Sequence, residues 1–243
     1  MSCPPYDIVV PSIGRDSLRE LLASLERAQA TPASLVVALD DRRQGPATAR
    51  NRGASMGSAP WLVFLDDDVV VTPEWAEHLH LDLSRAGPRV GAVQGRIIVP
   101  RSNERRPTDW ERNTIALETA KWITADMAVR RSAFQGIGGF DQRYRRAYRE
   151  DSDFAVRLER DGWQLAAGAR TSQHPVRSAR FMASVAAQRG NADDQLLIAV
   201  HGREVLTHIG APPSSLRTYT TTTSLLALGL ASLIAGANGP CDQ

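Results

Sequence analysis

The sequence predicts an α/β domain with a mostly parallel central sheet flanked by helices, followed by a helical C-terminal extension. Two observations carry this reading. Short apolar runs, among them Ile8-Val9-Val10, Leu35 to Leu39 and Trp61 to Leu65, alternate with segments of helical periodicity. The runs are continuous rather than alternating, which is the pattern of strands covered on both faces. With 243 residues, 42% of them apolar, the chain is long enough for one large core.

Taken in order, Asp7 to Pro11 is the first strand. Leu18, Leu21, Leu22 and Leu25 then recur at helical spacing behind a capping box of Ser17 and Glu20, and Thr31-Pro32 stops that helix. Ser34 to Leu39 is a second strand, ending at Asp40-Asp41. Pro46 opens a short helix through Met56 that Gly57 closes, and Trp61 to Leu65 is a third strand ending in Asp66-Asp67-Asp68. Thr72-Pro73 starts a helix to about Ala86, ahead of a strand from Gly91 to Val99. Arg101 to Arg112, with four arginines and Pro107, reads as a loop able to rim a site. A helix around Trp110 to Ala120, a strand near Ile123 to Val129 and a turn at Gly136 to Gly139 follow. The last elements are a helix from Glu150-Asp151 to Gly162 and a strand from Gln164 that ends at His174-Pro175.

Composition narrows the functional classes. A formal net charge of +2 without a basic block gives no indication of nucleic acid as a partner. Cys3 and Cys241 have neither metal-ligand nor disulfide-framework spacing, which fits a reducing cytosol. The N-terminus shows no basic-then-apolar signal pattern. Leu225 to Ala237 is apolar but short of the roughly 20 residues that span a bilayer. It reads as a packed or interfacial terminal helix after a hinge at Thr220 to Thr223. The expectation is a cytoplasmic protein, with peripheral contact at the inner membrane face through that helix.

In a parallel sheet ligands bind beyond the carboxyl ends of the strands, and three such ends carry polar residues: Pro11 to Arg15, Asp40-Asp41 and Asp66-Asp67-Asp68. They are expected to meet in one crevice. Three adjacent carboxylates repel one another, and a hard divalent cation shared with phosphates offsets the repulsion. A solvated acidic turn is the plainer explanation, and phosphoryl-transfer enzymes show the same pattern. Asp151, Phe154, Ala155 and Leu158 fall at i, i+3, i+4 and i+7, which puts Asp151 on the apolar face of its helix, as a cap or as a general base. Arg50 and Arg52 lie on a small-residue helix, either near a diphosphate or simply exposed. His174 is a surface or core histidine or a metal ligand, with Arg170, Arg177 and Arg180 forming an anion-facing patch. Trp122 with nearby Asp126 suits a sugar acceptor and suits core packing equally.

These segments together resemble glycosyltransferase family 2, the inverting family with a GT-A (nucleotide-diphospho-sugar transferase) fold. The resemblance rests on Ile8-Val9-Val10-Pro11 with Arg15, Asp40-Asp41, Ala49 to Gly53 and Phe64 to Asp68. It continues through Asp126 to Arg131, Ile137 to Asp141, and Glu150 to Asp153 with Arg157-Leu158, covering about residues 6 to 176. It implies a nucleotide-diphosphate sugar donor held by Pro11, Arg15, Asp40, Asp41, Arg50, Asp66 and Asp67, and Mn2+ or Mg2+ on Asp68 and His174. It further implies Asp151, in the Glu150-Asp151 pair, as the base. Trp122, Asp126 and Gly139 fall to a sugar, lipid-linked or small-molecule hydroxyl acceptor. The implied layout is a catalytic domain over residues 1–180, with a nucleotide-binding half at about 6–100 and an acceptor half at about 101–180, then a helical extension over 181–243. The sequence departs from the family at Ser12-Ile13-Gly14, where many relatives have Thr-Tyr-Asn after the proline. It lacks the Gln-x-x-Arg-Trp segment of polymer synthases, which points to transfer of a single sugar. The alternatives are a sugar-phosphate nucleotidyltransferase and a non-catalytic module that binds nucleotide sugar or glycan.

Overall fold

The computed structural model describes residues 4–101, 105–177 and 190–210, with the isolated positions 224, 225 and 229. The first half of the chain contains β1 (Tyr6–Ser12), α1 (Ser17–Arg27), β2 (Ser34–Leu39), α2 (Pro46–Ala54), β3 (Trp61–Leu65), β4 (Val70–Val71), α3 (Trp75–Arg85) and β5 (Val90–Ile98). The second contains α4 (Asp109–Ile115), β6 (Asp126–Arg130), α5 (Arg131–Gly136), α6 (Glu150–Arg160), β7 (Gln164–Gln173), α7 (Asn191–His201) and α8 (Val205–His208). The sheet runs in the order β2-β1-β3-β6-β5-β7-β4. β1 pairs parallel with β2 and β3, and β5 parallel with β7, whereas β6 is antiparallel to β3 and β5 and β4 antiparallel to β7. Five strands therefore point one way, and β6 and β4 point back.

The two faces of the sheet follow from side-chain alternation along each strand. Ile8, Val10, Val63 and Leu65 face α1 and α3, packing on Leu21, Leu25, Trp75 and Leu79. Val9, Leu62, Phe64 and Met127 face the other layer, with Phe134, Phe140, Phe154 and Leu158. Burial of each such side chain contributes roughly 1.5–3 kcal/mol. The rings of Phe140 and Phe154 stack with centroids 4.3 Å apart, which fixes α6 against the turn before it. A small third cluster of Tyr144, Val156, Leu197 and Val205 docks α7 and α8 on α6.

Several boundaries differ from the sequence reading. Ser17 and Glu20 form no capping box: the cap of α1 is Asp16, which bonds through its backbone alone, and the Ser17 hydroxyl is buried without a partner. The capping box that does form is Thr108 with Glu111, inside the stretch read as loop, because Pro107 places the helix start there. The strand expected from Ile123 begins only at Asp126, since Trp122 takes a positive φ of 60°. α5, β4, α7 and α8 had no separate signal in the sequence. Residues 220–223, most of 225–237, and the boundary at 180 lie outside the described residues. Among the described residues no helix is long and apolar enough to cross a membrane.

A buried polar network fastens the centre of the sheet. Asp126 receives the Arg170 Nε at 2.7 Å, the Trp75 indole N–H at 2.7 Å and the Ser172 hydroxyl at 2.6 Å. Arg170 also donates to Asp82 at 2.9 Å and to the Val93 carbonyl at 2.7 Å. The network joins α3, β5, β6 and β7, and both Asp126 and Arg170 are fully buried. Breaking such a pair from one side leaves an uncompensated buried charge. Arg170→Leu is therefore expected to lower stability by about 3–5 kcal/mol in urea unfolding. Replacement of Arg27, whose pair with Glu20 is exposed, should change it by less than about 0.5 kcal/mol.

Candidate active site

The ends of β1, β2 and β3 open into a cleft of about 440 Å³, lined by Pro11, Arg15, Asp40, Arg50, Asp66, Asp67, Asp68, His174 and Arg177 among others. The convergence read from the sequence is thus present in space, and the three aspartates divide their contacts among three elements. Asp67 is buried, and its two oxygens are taken by the Ser12 hydroxyl at 2.6 Å and by Arg15 at 2.6 Å, tying β1 to β3. Asp66 turns the other way and receives Arg50 Nη2 at 2.8 Å. Its backbone N–H bonds the Ala125 carbonyl, just before β6, which sets its height at the sheet edge.

Asp68 faces His174. One oxygen from each of Asp66 and Asp68 and a ring nitrogen of His174 lie within 4.8 Å of one another. β7 delivers His174 there, because its backbone N–H continues the pairing onto Ile98 at the end of β5. The Asp68 Oδ2 is buried without a hydrogen bond, although Arg177 Nε stands 2.9 Å away in ion-pair contact. Burial, and repulsion from Asp66, push the Asp68 carboxyl above its ordinary value, while His174 and Arg177 hold it down. Two carboxylates and an imidazole with an orphaned oxygen form a donor set that fits a divalent cation such as Mn2+. Asp66 joins this set, where the sequence reading assigned it to ribose and diphosphate.

Arg50 lies at the back of the cleft, on the buried stripe of α2 with Ala47 and Ala54. Its guanidinium spans Asp66 at 2.8 Å and Glu150 at 3.0 Å. Desolvation alone would lower its pKa, but the two carboxylates raise it, so the cation is held firmly. Glu150, at the start of α6, is 3% exposed, and its pKa is pushed up to about 8 by burial and by Asp151, against the pull of Arg50. Asp151 is half-buried, not on the apolar stripe as expected. The stripe is registered on Glu150, Phe154 and Leu158, four residues apart, which leaves Asp151 to the side. Burial raises the Asp151 carboxyl above its usual range and Asp66 adds to the rise, while Arg50 and Arg149 lower it.

Other expected residues take different places. Asp40 lines the cleft and accepts the backbone N–H groups of Gln44 and Gly45 at 2.7 and 2.8 Å, shaping the turn into α2. Asp41 is exposed and does not line the cleft. Gly45 has φ +100°, and a Cβ there would stand 2.5 Å from the Arg145 carbonyl, so only glycine allows this approach of the two cleft loops. Asp126 does not reach an acceptor: both its oxygens are consumed by the buried network. Arg170 likewise belongs to that network rather than to an anion-facing patch, and Arg180 lies outside the described residues. Gly139, at φ +74°, packs on Asn51, where a Cβ would come within 2.6 Å of the side-chain oxygen, and it does not line the cleft. Trp122 packs partly buried against the Phe64 cluster.

The sequence reading left out Ser12, Arg43 and Arg145, which also line the cleft. The cationic run Arg143 to Arg149, directly before Glu150-Asp151, was the available signal for Arg145. α4 contributes from the rim, where the Trp110 indole N–H donates to the Arg177 carbonyl at 2.8 Å.

Glu150 and Asp151 do not themselves line the cleft and reach it through Arg50. A mostly parallel sheet whose acidic strand end shares a cleft with a histidine and a buried arginine defines a GT-A domain of the nucleotide-sugar transferase kind. The family model for glycosyl transferase family 2 matches residues 7–152, and the chain belongs to that family. It is similar to an O-antigen biosynthesis protein, RfbC, of Myxococcus xanthus, at 26% identity over 150 residues. That match covers 50% of this chain and 11% of the relative, so the chain corresponds to about a tenth of its length. In fold it is similar to the mannosyltransferase PcManGT of Pyrobaculum calidifontis in complex with GDP-Man and Mn2+, with a TM-score of 0.54, 17% identity, and 94% of this chain and 81% of that one covered. It also resembles GalNAc-T7 with UDP, GalNAc and Mn2+, with a TM-score of 0.54, 17% identity, and 72% and 44% covered.

The elevated Glu150 pKa has a consequence for stability. A carboxyl whose folded-state pKa exceeds its unfolded value near 4.5 stabilises the fold fully below that value, and the contribution is lost as pH rises through about 8. Urea midpoints should accordingly fall between about pH 5 and 8. Glu150→Gln should flatten that slope, and an unchanged slope in the variant would show that Glu150 is not its source.

Proposed function

We propose that this chain is an inverting glycosyltransferase that moves one sugar from a nucleoside-diphosphate sugar to a hydroxyl acceptor, with Asp151 as general base. The observation that carries this reading is the bridge made by Arg50, a cleft-lining residue that bonds Asp66 on the donor side and Glu150, the neighbour of the base. Pro11, Arg15, Asp40 and Asp67 line the end of the cleft assigned to nucleotide base and ribose. Asp151 takes the acceptor proton as the hydroxyl oxygen attacks the anomeric carbon, and the nucleoside diphosphate leaves from the opposite face. A pKa raised by burial suits that task, because the carboxylate then holds the proton more tightly. Asp66, Asp68 and His174 would hold Mn2+ or Mg2+, which would supply positive charge for the departing diphosphate. Arg177, 2.9 Å from Asp68, adds a cation on the same side.

GDP-Man, UDP and Mn2+ in the structural neighbours support a nucleotide-sugar donor and manganese. The acceptor is a sugar, a lipid-linked group or a small hydroxyl compound. A cytoplasmic location, with peripheral membrane contact through residues 225–237, belongs to the same proposal and rests on the sequence alone.

The test uses UDP- and GDP-sugars with and without Mn2+. Asp151→Asn is expected to lower turnover by about 10²–10⁴ while donor binding persists. Asp68→Asn should lose the Mn2+-dependent thermal stabilisation by the nucleoside diphosphate. Near-normal turnover in the Asp151 variant would remove it as the base, and stabilisation by nucleotide that ignores Mn2+ in the unaltered chain would remove the metal.

A further inference from the structure

The loop that delivers Glu150 and Asp151 is gripped by a helix lying beyond the family match, which ends at residue 152. α7 carries Asp193 and Asp194 in its first turn. Asp194 receives Arg149 Nε at 2.6 Å, and Asp193 receives Arg146 Nη1 at 3.3 Å. Further along, His201 Nε2 meets the buried Asp153 at 2.8 Å, and Leu197 packs in one cluster with Val156 and Tyr144. α7 thus lies along α6, with its acidic turn at the end where the carboxylate pair sits.

Arg149 is the point on which this grip acts. Its backbone adopts φ +70° and ψ −9°, the left-handed region that a non-glycine residue keeps only when its surroundings hold it. The pair with Asp194 holds it, together with Tyr148, whose ring centroid is 4.6 Å from the guanidinium carbon and whose hydroxyl accepts Arg149 Nη2 at 3.1 Å. Arg149 is also the N-cap of α6, and its carbonyl accepts the Asp153 N–H at 2.9 Å. The torsion at Arg149 therefore sets the direction in which Glu150 and Asp151 enter the helix.

We propose that Asp194 is a positioning residue for the transfer reaction: by pinning Arg149 in its left-handed conformation, it fixes the first turn of α6 and so the orientation of Asp151. The inference rests on Asp151 being the base. Asp194 touches no cleft-lining group; it meets Arg149 and the Tyr148 on which Arg149 stacks, so its influence on α6 runs through the turn that these two residues form. Glycine at position 149 would adopt the same torsion unaided, which separates this role from simple docking of α7.

The experiment is a cycle on the full chain of D194N, R149G and the double variant. The measurements are hydrogen exchange of the peptide spanning 149–156, and kcat and donor KM with Mn2+ and whichever of UDP-glucose, UDP-GlcNAc and GDP-mannose the unaltered chain turns over. D194N is expected to speed exchange about tenfold and to lower kcat about tenfold, with donor KM within about twofold. In the R149G background the same substitution should change each by less than about twofold. Equal effects of D194N in both backgrounds, or unchanged exchange in D194N, would overturn the proposal. If D194N alone does not fold, folding of the double variant supports it and failure of both overturns it. An Asp151→Asn chain that remains active defeats the base assignment, and with it the catalytic half of the inference, whereas the exchange cycle reports on the brace independently.

Discussion

A single buried arginine holds the end of β3 and the start of α6 to one another. Arg50, 2% exposed, bonds Asp66 sixteen residues away and Glu150 one hundred residues away. Taking a guanidinium and the Glu150 carboxyl out of water is costly, and the cost is offset only when each meets a partner in good geometry. Neither β3 nor α6 can bury its carboxylate against the other without that cation between them. The remaining aspartates have separate partners, Asp67 on the Arg15 cation and Asp68 beside the Arg177 cation and the His174 ring. Charge compensation is spread over the segments after β1, within α2 and after β7, so the cleft forms only when all three are in place. Asp68 is the least well compensated, with one buried oxygen lacking a hydrogen bond, and it is there that an added divalent cation gains most.

Much of this was legible from periodicity. The apolar runs at Ile8, Leu35 and Trp61 became adjacent strands in register, and the polar residues at their carboxyl ends met in one cleft. The antiparallel return of β6 was not legible, because a five-residue buried strand reads alike in both directions. Its direction is set by tertiary contacts: Asp126 is anchored by Arg170 and Trp75 at the cleft end, opposite Leu65, and the strand must run back from there. The cap of α1 was misread for a local reason. Ser17 falls one position inside the helix, where its hydroxyl no longer reaches an orphan amide.

Within the site, sequence served well for residues on strand ends and poorly for buried polar ones. Asp126 and Arg170 have the composition of a ligand-binding pair, yet each satisfies the other inside the sheet. A carboxylate that holds strands together and one that holds a substrate look alike in sequence. Burial and the number of internal donors distinguish them, and those belong to the fold. The order within Glu150-Asp151 was also hidden, because the helix stripe can be registered on either residue. The stacking of Phe154 on Phe140 and the reach of Arg50 settle it for Glu150.

The boundary of the family match sharpens the division of labour. It ends at residue 152, inside the first turn of α6, and so contains Arg50, the three aspartates and the carboxylate pair. It does not contain His174, which completes the cation-binding set, or Asp194, which holds Arg149. The acidic strand end and the start of α6 are therefore each completed by a residue from the later chain: His174 at the end of β7 against Asp68, and the first turn of α7 against Arg149. Arg177, anchored through Trp110 of α4, closes the same rim. The acidic strand end and Glu150 are joined through Arg50 within the matched core, but the groups around them are set in place by elements that arrive after it.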